Sequence, residues 1–348
     1  MKILEDLTNA FGTPGFEDDV ANIAKKYINA ETEKDGVGNL YIKSKKYDEN
    51  KPIIMIDAHM DEVSFMIKHV NKNGTLSYIS LGSTIASSFT AQKMVIRNKD
   101  GELVKGVIST RPPHFSQKDV DLSHDSLVID IGASSKEEAI NNFKIGPGCP
   151  VVPDVFTEFD EKNDLVWAKA LDCRVGCTAL IEVVNELQNE NLNVNISAVL
   201  TTQEEVGLRG IKVAARKIKP DIAIVFEGTP ADDTFLDEYE SQTRIKKGPM
   251  LRHIDAQMIT NPKFQKFALE IGEKLGIPTQ EAIRTGGSTN AGVLHLSHEG
   301  VPTIVIGTPV RYIHTPNTVA CLSDLKNAIK LAKEVIKALD KDIIESFK

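Results

Sequence analysis

The chain has 348 residues, 41% of them apolar, which is enough for one large domain or two smaller ones around a substantial core. Its net charge of −8, with acids and bases interleaved, argues against general binding of nucleic acid or of acidic membrane surfaces. No apolar run approaches the roughly 20 residues of a membrane span, the charged start Met1-Lys2-Ile3-Leu4-Glu5-Asp6 lacks a signal-peptide core, and Cys149, Cys173, Cys177 and Cys321 form no CxxC pair, so the expectation is a soluble cytoplasmic protein without disulfide framework or zinc finger.

Ile3, Leu4, Leu7 and Phe11 have helical spacing, and Gly12-Thr13-Pro14-Gly15 ends that helix. A second helix is expected over about 17–30, with Val20, Ile23, Ala24, Tyr27 and Ile28 on one face. Asn39 to Lys43 alternates like a strand. Pro52 to Ala58 is apolar enough to be a strand buried on both faces, and it delivers His59-Met60-Asp61-Glu62 at its end. Between about Lys68 and Asp160 the texture changes to short β-like runs, 76–79, 93–96, 103–109 and 127–131, separated by turns such as Asn73-Gly74 and Asp100-Gly101, with one short helix over 135–143. This stretch, 68–160, is expected to be a small β-rich domain inserted into a catalytic domain formed by 1–67 and 161–348.

After Asp160 strands and helices alternate, which predicts an α/β layer structure. Strands are expected at 165–170, 194–200, 222–226 and 301–306, and helices at 175–187, 211–219 and 262–275. Residues 230–260 read as polar and irregular, 286–290 as a turn feeding a helix, and 322–344 as one long amphipathic helix.

Against that frame, five side chains fall at or just past strand ends: His59, Asp172, Glu205, Glu227 and His314. In open α/β sheets ligands gather at the carboxyl ends of strands. Two imidazoles and three carboxylates suit zinc, cobalt or manganese, and two ions fit better than one if a carboxylate bridges them. Two divalent ions, three carboxylates and one hydroxide sum to neutrality, and metal-bound water ionises near pH 7. Glu204, adjacent to Glu205 but aimed elsewhere, is placed to take a proton from water and pass it to a leaving amine. Asp61, two residues beyond His59, is placed to accept the other imidazole N–H. Each residue taken alone also has a bland reading: Asp172 as the N-cap of the next helix, the histidines as structural, Glu227 as a residue before a turn.

Four stretches in order, Ala58-His59-Met60-Asp61-Glu62-Val63, Leu171-Asp172-Cys173-Arg174-Val175-Gly176-Cys177, Thr202-Gln203-Glu204-Glu205-Val206-Gly207 and Arg311-Tyr312-Ile313-His314-Thr315-Pro316, resemble those of the dinuclear metallo-aminopeptidases of the glutamyl aminopeptidase, or tetrahedral aminopeptidase, family, over nearly the whole chain. Some members carry a cellulase M or endoglucanase label that the site chemistry does not support. The resemblance implies a phosphorylase/hydrolase-like mixed-sheet α/β catalytic domain with an inserted β-barrel-like domain. It also implies dimerisation through the insert and assembly as homo-oligomers, often tetrahedral dodecamers. It implies that His59, Asp172 and Glu227 hold one metal and that Glu205, His314 and the shared Asp172 hold the other, zinc or cobalt, with Glu204 as the catalytic acid–base and Asp61 supporting His59. A cis peptide is implied between Asp172 and Cys173. Three positions depart from the family pattern: Cys173 stands where Asp or Asn is usual, Glu227 where many members have Asp, and Ser64 where Gly is common.

The expected function is hydrolysis of the first peptide bond of short peptides. A dipeptidase, carboxypeptidase or deacylase of the same architecture stays open as an alternative, as does a non-catalytic scaffold; a glycosidase would need two carboxylates flanking a sugar bond without metals. The basic segment Arg244 to Arg252, if it lines the substrate pocket, would favour an acidic first residue; it otherwise reads as a solvated loop.

Overall fold

The computed structural model describes residues 1–115 and 122–348; residues 116–121, inside the expected insert, lie outside the described part. The fold is built on the strand Ile53–His59, which is buried along nearly its whole length. A strand with two buried faces needs cover on both. Ile54, Ile56 and Ala58 join a core with the helices Lys2–Asn9, Leu171–Leu187 and Leu322–Ala338. Met55, on the alternate face, packs with Val199, Ala223, Val225 and Val305 under the helices Arg209–Ile218 and Ala291–Leu294.

Among the described residues the main sheet has eleven strands. Its centre is four parallel strands in the order Asn195–Thr201, Ile53–His59, Ile222–Pro230, Thr303–Arg311. Antiparallel strands flank them, Leu40–Ile42 on one side and Thr318–Cys321 with Leu165–Ala168 on the other, so the sheet is mixed as expected. In the parallel core Thr201 pairs with His59 and Glu227 with Gly307, which brings the carboxyl ends of four strands to one edge.

A second sheet closes into a six-stranded barrel, in the order Ser64–Val70, Leu76–Leu81, Ile129–Asp130, Leu103–Ile108, Lys93–Arg97, Pro150–Pro153. Phe65, Ile67, Leu76, Phe89, Met94, Ile96, Ile129 and Val151 fill it. Phe65 meets Tyr78 and Phe89 edge to face at 4.7 and 4.9 Å between ring centres. The first barrel strand begins at Ser64, so it crosses the expected junction at residue 67 and leaves only residues 60–63 between the barrel and His59.

Several elements differ from the sequence expectation. The supposedly irregular 230–260 contains the strand Met250–Ile254, because buried Met250 and Leu251 pair with Gly307 and Ile306. The terminal helix stops at Ala338 and restarts at Lys341, where the Asp340 carboxylate accepts the Ile343 N–H at 2.8 Å and caps a new helix. The helix expected from Val175 is regular from Arg174, and a further turn at Leu171 precedes it across a kink at Asp172 and Cys173, whose backbones are non-helical. The peptide between those two is cis, as expected.

Candidate metal centre

The five expected ligands converge. Asp172 is the hinge of the arrangement: its Oδ1 lies 3.2 Å from His59 Nε2 and its Oδ2 lies 3.2 Å from His314 Nε2. Glu227 Oε2 approaches the same nitrogen of His59 at 3.5 Å, and Glu205 Oε1 the same nitrogen of His314 at 3.5 Å. Two His–Asp–Glu groups therefore share one carboxylate. Potential ligand atoms lie within 4.8 Å of one another in three sets: Asp172, Glu205 and His314; His59, Asp172 and Glu227 with Cys173; and His59, Glu204 and Glu205.

Two of the five reach the edge differently from the strand-end expectation. Asp172 sits in the irregular first turn of the helix Leu171–Leu187, and its carboxylate faces the histidines rather than capping that helix. Glu227 lies inside the strand Ile222–Pro230, which continues three residues further because Pro230 still pairs with Val310. Gly228 lets the two meet: a Cβ there would stand 2.8 Å from Asp172 Cα.

The far side of each imidazole is committed to a carbonyl. His59 Nδ1 lies 3.1 Å from the Asp61 carbonyl and 3.4 Å from Asp61 Oδ1. The nearer orienting group is thus the backbone oxygen of Asp61 rather than the carboxylate expected from the sequence. The Asp61 carboxylate chiefly accepts the N–H groups of Glu204 and Glu205, at 2.9 and 3.0 Å. His314 Nδ1 lies 2.8 Å from the Ser83 carbonyl, which comes from the loop after the barrel strand Leu76–Leu81. With Nδ1–H donating to a carbonyl, each ring aims Nε2 at carboxylate oxygens, donating to them when the ring is protonated and offering a lone pair to a cation when it is neutral.

That arrangement needs positive charge. Glu205 Oε1 and Glu227 Oε1 are buried without a hydrogen-bond donor. Burial, then repulsion from Asp172 and Asp61, pushes the Glu205 carboxyl up to about 8. Glu227 is raised by burial and by Asp172, and Glu204 far above the carboxylate range by burial and by Glu227, Glu205 and Asp61. Burial opposes charge on His314, but Glu205 and Asp172 outweigh it and lift the ring to about 9. His59 is raised in the same way, against burial, by Cys173, Glu227, Asp172 and Asp61. Asp172 is lowered despite its burial, because both histidines donate to it. Two divalent cations would meet each of these demands: they match the orphaned carboxylate oxygens, the outward Nε2 atoms and the oxygen and nitrogen donor set. Cys173 Sγ donates to the Phe226 carbonyl at 3.2 Å, and burial pushes its thiol well above the usual range.

The centre forms the floor of a cavity of about 560 Å³ that is also lined by Lys212, Arg252, Arg284 and the Gly286-Gly287-Ser288-Thr289 turn. Of the basic segment 244–252 only Arg252 reaches this cavity; Arg244 pairs with Glu238 at 3.3 Å, and the N–H groups of Lys246 and Gly248 go to Asp324. Two contributors went unnoticed in the sequence, the Ser83 carbonyl and Glu17, whose carboxylate accepts the Gln203 N–H at 3.0 Å. Neither carries a local signal, because a backbone oxygen is no motif and the partner of Glu17 lies 186 residues away.

Residues 38–331 match the family model described as M42 glutamyl aminopeptidase. The lysyl aminopeptidase of Pyrococcus furiosus is 32% identical over 97% of this chain and 97% of its own. The crystal structure of a TET aminopeptidase from a marine-sediment thaumarchaeon superposes with a TM-score of 0.94 at 33% identity, covering 100% of this chain and 99% of that one. The Pyrococcus horikoshii TET1 peptidase, described as able to assemble into a tetrahedron or a large octahedral shell, superposes with a TM-score of 0.87 at 27% identity, over 97% and 99% of the two chains. No helix among the described residues is long and apolar enough to cross a membrane. With the motifs, the mixed sheet, the barrel and these likenesses in agreement, the chain belongs to the M42 glutamyl aminopeptidase family of metal-dependent aminopeptidases, hydrolases acting on peptides.

Proposed function

We propose that the chain removes the first residue of short peptides with two divalent cations, zinc or cobalt, His59, Asp172 and Glu227 holding one and Asp172, Glu205 and His314 the other. The observation that carries this is the division of Asp172, one oxygen 3.2 Å from each imidazole. Bound there, the cations would supply Lewis acidity to the scissile carbonyl and lower the pKa of water toward about 7.

The protein's own part is proton handling and placement. Glu204 is the one carboxylate of the Glu204–Glu205 pair that is not paired with an imidazole within 4.0 Å among the described residues, while Glu205 faces His314. Its environment favours holding a proton, through burial and three nearby carboxylates. A carboxyl raised toward the working pH can take a proton from attacking water and return it to the leaving amine, and bound cations would draw this one down toward that range. The N–H of Glu204 is fixed on Asp61, so the side chain starts from a set position.

Charge at the cavity supports an acidic first residue. Arg252 is matched by Asp255 at 3.1 Å and Arg284 by Asp232 at 2.8 Å, whereas exposed Lys212, whose Nζ donates to the Gly207 carbonyl at 3.0 Å, has no ion pair among the described residues. Lys212→Glu should then reverse a preference for Glu over Lys anilides. We further propose a homo-oligomer, possibly a tetrahedral dodecamer, dimerising through a barrel domain near 68–160; exposed Ile79, Ile85, Leu103 and Val107 on the barrel support association. Light scattering of the purified protein measures it, and a monomer would end that part.

The deciding experiment is Glu204→Gln with metal analysis and an aminoacyl-anilide panel. Retained metal with turnover lowered by about 10²- to 10⁴-fold supports the assignment, and near-normal turnover overturns it.

A further inference from the structure

The segment Thr202–Glu205 leaves the sheet after Thr201, where ladder bonding stops, yet it must hold two functional carboxylates still. Buried N–H groups need partners. Here each of four consecutive N–H groups is taken by a side-chain oxygen from the first sixty-one residues. Asn39 Oδ1 accepts from Thr202 at 3.0 Å, Glu17 Oε1 from Gln203 at 3.0 Å, and the two oxygens of Asp61 from Glu204 and Glu205 at 2.9 and 3.0 Å. Gln203 itself has a φ of 55°, a left-handed conformation that a non-glycine residue holds only when its surroundings fix it.

Glu17 is the unexpected member. It stands at the N-cap of the helix Asp18–Tyr27, where an acid ordinarily accepts the helix's own N–H groups, but its side chain makes no cap bond. It turns away and uses one oxygen for both Gly15 N–H, at 2.9 Å, and Gln203 N–H. It is 5% exposed, and burying a carboxyl that lacks a cation is costly. Its position gives it no contact with the cavity that binds substrate.

We infer that Glu17 is a positioning residue for Glu204: by gripping the Gln203 N–H it fixes the backbone from which the proton-transferring carboxylate projects. The inference rests on the assignment of Glu204 above. A displaced general base loses rate without weakening substrate binding, since its contribution is made in the transition state.

The test uses the metal-loaded protein and steady-state kinetics on a good anilide substrate. Glu17→Ala should lower kcat on the order of 10- to 100-fold, the scale of a misplaced catalytic group, with KM and metal content close to those of the unaltered protein. Glu17→Gln, which keeps an acceptor oxygen at the same reach, should recover most of that loss. In a Glu204→Gln background Glu17→Ala should cost less than about threefold, because the group it positions is already disabled. Three results would overturn the inference: full kcat in Glu17→Ala, an equal loss in both backgrounds, or no recovery in Glu17→Gln. Should Glu17→Ala fail to fold, the pair Glu17→Gln and Glu17→Asp decides alone. Recovery by Gln but not by the shorter Asp supports positioning, and equal kcat in both overturns it. A Glu204→Gln enzyme with normal turnover would instead strike the underlying assignment, so the two failures are told apart.

Discussion

Beneath the metal centre lies a group of three buried charges, and its removal gives the most demanding test of the architecture. Glu62 meets Lys169 Nζ at 2.6 and 2.8 Å and Arg174 Nη2 at 3.3 Å. Lys169 also donates to the Ala10 carbonyl at 2.8 Å, and Arg174 Nε to the Met60 carbonyl at 2.9 Å. All three side chains are at most 4% exposed, so one anion serves two cations with little help from water. Glu62→Gln strands both cations. Breaking a buried pair by removing one partner costs about 3–5 kcal/mol. Lys169 can relieve part of this: burial already depresses it to about 8, against the pull of Glu62, and without Glu62 it sheds its proton more readily. Arg174 keeps its carbonyl partners Met60 and Leu7 but loses its one anion. The expected cost of Glu62→Gln is therefore about 4 kcal/mol. Lys169→Met leaves Glu62 and Arg174 balanced and chiefly orphans the Ala10 carbonyl, a loss of about 1–3 kcal/mol. The double variant should be more stable than Glu62→Gln alone, since it removes one stranded cation. Urea unfolding of the metal-loaded proteins at pH 7 measures all three. A cost below about 1 kcal/mol for Glu62→Gln, or a double variant less stable than either parent, would refute this electrostatic reasoning.

Chelation should lower the melting temperature, because ligands that bind only the folded state at 100 times their Kd stabilise it by about 2.7 kcal/mol; an unchanged melt after dialysis against EDTA, with metal loss verified, would contradict the fit of the donor set. Glu17 gives a pH signature. Burial raises its carboxyl from 4.5 to about 7, so between those values the folded chain holds a proton that the unfolded chain has lost, and stability falls as pH rises through that window. Relative to the unaltered protein, Glu17→Gln should gain about 3 kcal/mol on going from pH 4 to pH 8, and a flat difference would show that Glu17 is not so perturbed. Gly228→Ala would drive a methyl to 2.8 Å from Asp172 Cα, an overpacking worth about 1–3 kcal/mol. Metal analysis should find less bound cation than in the unaltered protein, and full occupancy with full activity would mean the backbone yields more easily than its packing implies.

What was legible in the sequence is what the backbone period and the short motifs encode. The run Pro52 to Ala58 has too little polar character for a half-exposed strand, and it is buried as a parallel strand between two others. Three of the five expected ligands, His59, Glu205 and His314, met because strand ends in a parallel sheet share an edge, whereas Asp172 comes from the first turn of a helix and Glu227 from within a strand. Illegible were features set by distant partners. Nothing near Met250 announces a strand until Gly307 and Ile306 are alongside it. Barrel closure needs Phe65 opposite Val151, a pairing that neither segment encodes alone. The Asp61 carboxylate was assigned to the ring of His59 on spacing, whereas its stronger demand comes from two N–H groups of a loop not yet in view.

The same contrast explains how a cluster of acids can be held so closely. Asp172, Glu204, Glu205 and Glu227 each lose solvation in this pocket, and three of the four have their carboxyls raised as a result. Side chains under mutual repulsion would swing apart if only their own rotamers held them. The chain instead anchors the backbone beneath them: Glu17, Asn39 and Asp61 hold the N–H groups of 202–205, and Gly228 seats the Asp172 backbone against the strand that bears Glu227. The barrel reaches in to fix the fourth side. Its Gly82, at a φ of 95°, brings the loop to where a Cβ would lie 3.3 Å from Glu205, and Ser83 then presents its carbonyl to His314. A barrel that only joined subunits would have no need of that contact. Because it orients one of the two imidazoles, displacement of this loop is expected to be felt in metal affinity.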